Sequence, residues 1–344
     1  MFQRILVPLD GSTRAERAIP VAARIARASC GSVILLRVVS TAIEFWPSMT
    51  PQPVLTQMAN TTALAEAKQY LSAVSKTVLD DIPTETVALF GPPAPTLLAV
   101  IHSYQADLIV LCSHGYTGMT RWMLGSVAEK VARHADMPVL ILRAGGPAPA
   151  GPHPDATRPL RALVALDGSA HAKAALEPAA SLIAALAAPA PGALHLVRVV
   201  KPLPAEYEAK NFQERVDNEQ FLHKAKSYLS RTVEHLHERL IAPAVADLNL
   251  IITWSVAVDT DVAEALIRLA ENGEDAEGAG VFGGCDVIAM ATHGYSGVQR
   301  WAMGSITERV LGATKLPLLI VRPPEMMDQS NIDWDLATLA SIQG

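Results

Sequence analysis

The chain carries one of its own segments twice. CSHGYTGMTRWMLGSVAEKVARHADMPVLILR begins at residue 112 and ATHGYSGVQRWAMGSITERVLGATKLPLLIVR at residue 291. The two 32-residue windows align without a gap and share 14 identical residues. These gather at a His-Gly pair, a Tyr-x-Gly, an Arg-Trp, a Gly-Ser and a closing Pro-x-Leu-Ile-x-Arg. Earlier matches keep the same order. RILVPLDGSTRAERAI from residue 4 pairs with RALVALDGSAHAKAAL from residue 161, and VILLRVV (33–39) with ALHLVRVV (193–200). AKQYLS (67–72) pairs with AKSYLS (225–230), and ADLIVLCSHG (106–115) with CDVIAMATHG (285–294). The chain is two copies of one unit, and its 344 residues suffice for two domains with separate cores.

The copies span residues 1–144 and 160–323. Between them GGPAPAGPHPDATRP (145–159) reads as an extended, semi-rigid linker. The second copy carries an acidic, Gly-rich insertion, ENGEDAEGAGVFGG (271–284), expected to be a mobile loop. Residues 324–344 form a tail with room for a short helix near NIDWDLATLASI.

Within each copy, short apolar runs alternate with longer helical patterns. In the first copy the expected strands are 4–9, 33–39, 84–90, 107–112 and 138–143, and the expected helices lie near 14–29, 60–79, 95–104 and 125–135. Continuous runs such as ILVPL and DLIVL suit strands covered on both faces. Alternating βαβ units then give an α/β fold, two tandem doubly wound parallel-sheet domains. Asp10, Ser12 and Thr13 are the candidates to cap the first helix, and Pro95 suits an early helix position.

Ligands of such sheets bind beyond the carboxyl ends of the strands, where strand order reverses. Asp10 follows the first strand, and Ser113-His114-Gly115 follow the fourth; Asp167 and Thr292-His293-Gly294 repeat the arrangement. Gly125-Ser126 and Gly304-Ser305 then open a helix. Glycines feeding a helix N-terminus suit a phosphate, because bare N–H groups and the positive end of the helix dipole face the anion. The plainer alternative is a simple N-cap. His114 and His293 have no Ser-Asp constellation nearby and read as hydrogen-bonded loop histidines. Arg121-Trp122 and Arg300-Trp301 read as a packing tryptophan beside a solvated arginine. Cys112 is either a small filler or, near a helix start, a redox-sensitive thiol of lowered pKa.

These motifs resemble the universal stress protein family, whose ATP-binding members carry Gly-x2-Gly-x9-Gly-Ser/Thr. Gly115 with Gly125-Ser126 and Gly294 with Gly304-Ser305 fit the x9 spacing, while Cys112 and Ala291 stand where the family has its first glycine. The resemblance implies an adenine pocket of Pro8, Val38 and Leu111 in the first copy, and of Ala165, Val199 and Met290 in the second. It implies that Asp10 and Asp167 meet the ribose hydroxyls, with Cys112 and Ala291 beside them. Gly115, Gly125, Ser126 and Val127 would hold phosphates, as would Gly294, Gly304, Ser305 and Ile306. The implied ligand is ATP, with or without Mg2+, or AMP or ADP. The apolar last strands, 138–143 and 317–322, would pair the copies as a pseudo-dimer inside the chain, and a homodimer and a protein partner are left open.

Other chemistry is excluded by what is missing. The chain has no Gly-x4-Gly-Lys-Ser/Thr, no Gly-x-Gly-x-x-Gly, no Gly-x-Ser-x-Gly and no zinc spacing. A formal charge of −6 with no basic run of five argues against nucleic acid, and no segment reaches the ~20 apolar residues of a membrane span. Three widely spaced cysteines and the lack of a signal-peptide layout point to the cytoplasm. The expectation is a regulatory stress-response protein that binds adenine nucleotide with little or no hydrolysis. A scaffold with decayed sites and a slow hydrolase are the alternatives. Pro8, against Ala165 and the insertion in the second copy, favours tighter binding by the first.

Overall fold

The structure, a computed structural model, describes residues 2–40, 53–113, 124–149, 158–202, 212–276, 280–292 and 303–323. Contacts divide the chain into two compact units, Phe2–Ala144 and Gly145–Pro324.

In the first unit β1 (Arg4–Pro8) leads into helices Thr13–Glu16 and Ala18–Ser29, then β2 (Ser32–Val39), helix Pro53–Val78 and β3 (Thr84–Phe90). Helix Pro93–Ser103, β4 (Leu108–Cys112), helix Ser126–His134 and β5 (Val139–Leu142) complete it. The strands lie in the order β3-β2-β1-β4-β5 and pair in parallel, with Ile5 beside Val33 on one side and Leu108 on the other. Ile5, Leu6 and Val7 have no exposed surface, as expected of a strand roofed on both faces. The chain moves outward from β1 to β3 and then returns across β1 to β4. In sheets of this kind such a reversal, here at the carboxyl ends of β1 and β4, is the place where ligands bind.

The second unit repeats the plan. β6 (Arg161–Ala165), β7 (Gly192–Val200), β8 (Leu250–Val258), β11 (Val287–Ala291) and β12 (Leu318–Val321) pair in parallel in the order β8-β7-β6-β11-β12. Helices Ala170–Lys173, Leu176–Ala187, Phe212–His237, Val262–Asn272 and Ser305–Ala313 connect them.

One open choice in the sequence reading is decided, and two details depart from it. Ser12 is the N-cap of the first helix, its Oγ accepting from Ala15 N–H at 3.2 Å, and Ser169 does the same for Ala172 at 3.1 Å. Asp10 and Thr13 are not caps, because the carboxylate of Asp10 is turned to Ser12 N–H and Thr13 already lies in the helix. The insertion is not simply a loop. Its helix runs to Asn272, and β9 (Glu274–Ala276) pairs antiparallel with β10 (Gly280–Phe282). A three-residue ladder held by backbone bonds leaves no period-two signature in so acidic a stretch. Finally, the expected helix at 95–104 starts at Pro93, with Pro92 as its N-cap, since proline loses nothing in a first turn whose N–H groups lack partners. Residues 150–157 of the linker and the tail lie outside the described residues. Among the described residues no helix is long and apolar enough to cross a membrane.

Candidate functional site

The second unit holds a cavity of about 200 Å³ at the carboxyl ends of its central strands. β6 contributes Ala165, followed by Leu166 and Asp167; β7 contributes Val199, and β11 contributes Met290 and Ala291. The opposite wall is the start of helix Ser305–Ala313, with Gly304, Ser305, Ile306 and Thr307. Residues far apart in the sequence, chosen from the repeat, meet in one space. Gly294 lies outside the described residues.

Each part of the wall has its own chemistry. Asp167 is exposed at the rim, and its Oδ1 accepts from Ser169 N–H at 2.9 Å, which sets the carboxylate's direction. Gly168 turns the chain at φ +97°, a conformation that favours glycine. Gly304 is the N-cap of its helix and has no side-chain cap. The Gly304 N–H is spent on Thr292 O at 2.8 Å, so the backbone itself holds the helix start in place. The first bond inside the helix is Glu308 N–H to Gly304 O at 2.9 Å. The N–H groups of Ser305, Ile306 and Thr307 therefore have no acceptor within the helix and face the cavity end. Thr307 fixes the wall from below, its Oγ1 donating to Ala291 O at 3.0 Å.

The sequence reading missed Val262 and Leu266, which close the apolar side of the cavity. They lie one turn apart on helix Val262–Asn272, which begins where β8 ends, so the i, i+4 spacing was the available signal. Just before Val262, Asp261 caps this helix through Glu264 N–H at 3.1 Å and pairs with Arg309, while Asp259 pairs with Arg268 at 2.9 Å. The hydrogen bond from Arg309 holds Asp261 below the ordinary carboxylate range, and the Asp261 N–H, then Arg268, does so for Asp259.

The first unit repeats the backbone. Asp10 Oδ1 accepts from Ser12 N–H at 2.9 Å, and Gly125 N–H donates to Ser113 O at 2.7 Å. Gly125 is the uncapped start of helix Ser126–His134, with Ser126 exposed and Val127 half-buried. Pro8, Val38 and Leu111 stand at or near the carboxyl ends of the adjacent strands β1, β2 and β4. Gly115 lies outside the described residues, as do His114, Arg121, Trp122, His293, Arg300 and Trp301. Cys112 is half-buried with its thiol 3.9 Å from Ala15 O. Burial pushes that thiol up to about 11, outweighing Arg17, so it is not the low-pKa thiol that a helix start suggests.

A model of the universal stress protein family matches residues 1–143 and again 160–322. The chain belongs to the universal stress protein family. Universal stress protein YxiE of Bacillus subtilis is 30% identical over 148 residues, 42% of this chain and all of that protein. Universal stress protein MJ0531 of Methanocaldococcus jannaschii is 30% identical over 145 residues, 42% of this chain and 83% of its own length. Each therefore matches about one copy, and this chain is a tandem universal stress protein. A solved universal stress protein from Archaeoglobus fulgidus has the same fold across 93% of this chain and 98% of its own, with a TM-score of 0.55 at 17% identity.

Proposed function

We propose that this universal stress protein binds an adenine nucleotide, ATP foremost, and uses occupancy to bias a regulatory contact, with little or no hydrolysis. The observation that carries this reading is the meeting of Asp167, Val199, Met290, Ala291, Gly304, Ser305 and Ile306 around one cavity. Met290, Val199, Val262 and Leu266 offer an apolar slot for a flat base, and Asp167 offers a carboxylate for ribose hydroxyls. The unshared N–H groups of Ser305 and Ile306 suit phosphate oxygens. Among the described residues lining the cavity Asp167 is the one ionisable side chain, which supports binding over turnover. No group of three or more metal-binding side chains occurs among the described residues, so Mg2+ would rest chiefly on the nucleotide's own phosphates. A cytoplasmic setting belongs to this reading, supported by the free Cys30, Cys112 and Cys285.

The test is to denature the purified chain and weigh the small molecules it releases, then titrate the stripped chain with ATP. One or two adenine nucleotides per chain are expected. No binding at millimolar ATP would overturn the proposal and favour a scaffold with decayed sites, the reading that Cys112 and Ala291 at family glycine positions support.

A further inference from the structure

Two repeated motifs take no part in the cavity wall: the arginine of Arg-Val-Val and the tyrosine of Ala-Lys-x-Tyr-Leu-Ser. Tertiary structure brings them together in both units. The Arg37 guanidinium carbon lies 4.9 Å from the centre of the Tyr70 ring, and that of Arg198 lies 5.2 Å from the centre of the Tyr228 ring. The other side of each guanidinium rests against the glycine of the Asp-Gly turn. A Cβ on Gly11 would fall 3.2 Å from Arg37 Nη2, and one on Gly168 would fall 3.0 Å from Arg198 Nη2. Each flat cation is thus held between an aromatic ring and the turn that carries Asp10 or Asp167.

The geometry points to a positioning device: arginine and tyrosine buttress the aspartate from behind the sheet and so set discrimination for the ribose. This rests on the nucleotide reading above. Side chains alternate along a strand, so Arg198 faces away from the cavity that its neighbour Val199 lines. The bond from Ser169 N–H sets the direction of the Asp167 carboxylate, and the Arg198–Tyr228 stack braces the same turn from the side away from the ligand space. The tyrosines are themselves anchored. Tyr70 donates to Glu16 Oε1 at 2.8 Å, and the Tyr228 ring carries Lys173 Nζ at 5.2 Å from its centre. Two different anchors serving one unchanged Arg–Tyr–Gly stack argue that the stack is the retained element.

The experiment compares ATP with 2′,3′-dideoxy-ATP, which lacks both hydroxyls, on the full chain carrying Gly125→Val so that only the second unit binds. A carboxylate hydrogen bond lost to the dideoxy ligand should weaken it by about tenfold or more. Arg198→Met keeps the stem and fills the space, and is expected to bring the ATP to dideoxy-ATP ratio within about threefold of one, leaving dideoxy-ATP binding within about twofold. Arg198→Lys should resemble it, since lysine has no plane to stack. Tyr228→Phe keeps the ring and should keep the ratio, while Tyr228→Leu should lose it. An unchanged ratio in Arg198→Met overturns the inference, and so does an equal loss for both nucleotides, which marks a purely structural arginine. A parent chain that binds both nucleotides equally overturns the inference through the role of Asp167, and one that binds neither overturns the nucleotide reading itself. Should Arg198→Met unfold, the Tyr228 pair decides alone.

Discussion

Replacing Gly304 by valine is expected to weaken ATP binding by the second unit about 100-fold or more, equivalent to roughly 2.7 kcal/mol. Gly304 lines the cavity at the start of helix Ser305–Ala313, the place where phosphate oxygens would approach the N–H groups of Ser305 and Ile306. Two methyl groups there would occupy ligand space. The backbone is not the obstacle: Gly304 has φ −56° and ψ 142°, which valine adopts readily. Its N–H would still donate to Thr292 O, and valine in place of a glycine N-cap costs about 1 kcal/mol or less of helix stability. Binding should therefore fall while the melting temperature holds within a few degrees. Titration calorimetry on the full chain reads the affinity and the number of sites together. Unaltered ATP affinity with both sites filled would remove the helix start from the phosphate site. The companion change Gly125→Val ranks the units: Pro8 favours the first, and a larger loss from Gly304→Val would reverse that order.

Acid is expected to destabilise the second unit through His195. This side chain has no exposed surface, and its ring nitrogens meet Thr253 Oγ1 at 2.8 Å and Ser255 Oγ at 2.9 Å. Burial, with a smaller contribution from the Arg161 charge, pulls the His195 pKa down to about 3. Between about pH 6.5 and that value the unfolded chain binds a proton that the folded unit refuses. Stability is therefore complete above about 6.5 and falls as pH drops, by about 1.4 kcal/mol per unit. From this group alone about 2 kcal/mol should be gone at pH 5. His195→Asn keeps an amide between the two hydroxyls and has nothing to titrate. Urea unfolding at pH 7, 6 and 5 should show the gap between the parent and this variant closing as the pH falls. Parallel curves would place a protonated His195 in the folded unit and refute the assignment. The first copy has Ile34 at the equivalent place, so its unit should lack this component.

Several features were legible in the residue order because they are local or repeated. Continuous apolar runs marked β1, β2 and β4 to within a residue or so at each end, since a strand buried on both faces must be apolar throughout. The duplication located Asp167, Gly304 and Ser305 in the second unit without any knowledge of their distance, because glycine and a strand-end carboxylate leave distinct local signals. The choice of Ser12 over Asp10 as cap was not legible, since both can accept a backbone N–H and only the turn at Gly11, φ +87°, decides which does. Val262 and Leu266 carry only an apolar i, i+4 spacing in the sequence, and the fold alone brings them to one cavity with Val199 and Met290. Arg37 and Tyr70 are repeated and visible, yet their meeting is a property of packing: 33 positions separate them, and only the helix laid across β2 and β3 brings ring to guanidinium. What the sequence by itself determined is the class of fold, its doubling and the residue types at the strand ends. Which of those residues touch, and which arginine stands behind which aspartate, tertiary structure alone decided, because such contacts depend on distances that no local pattern encodes.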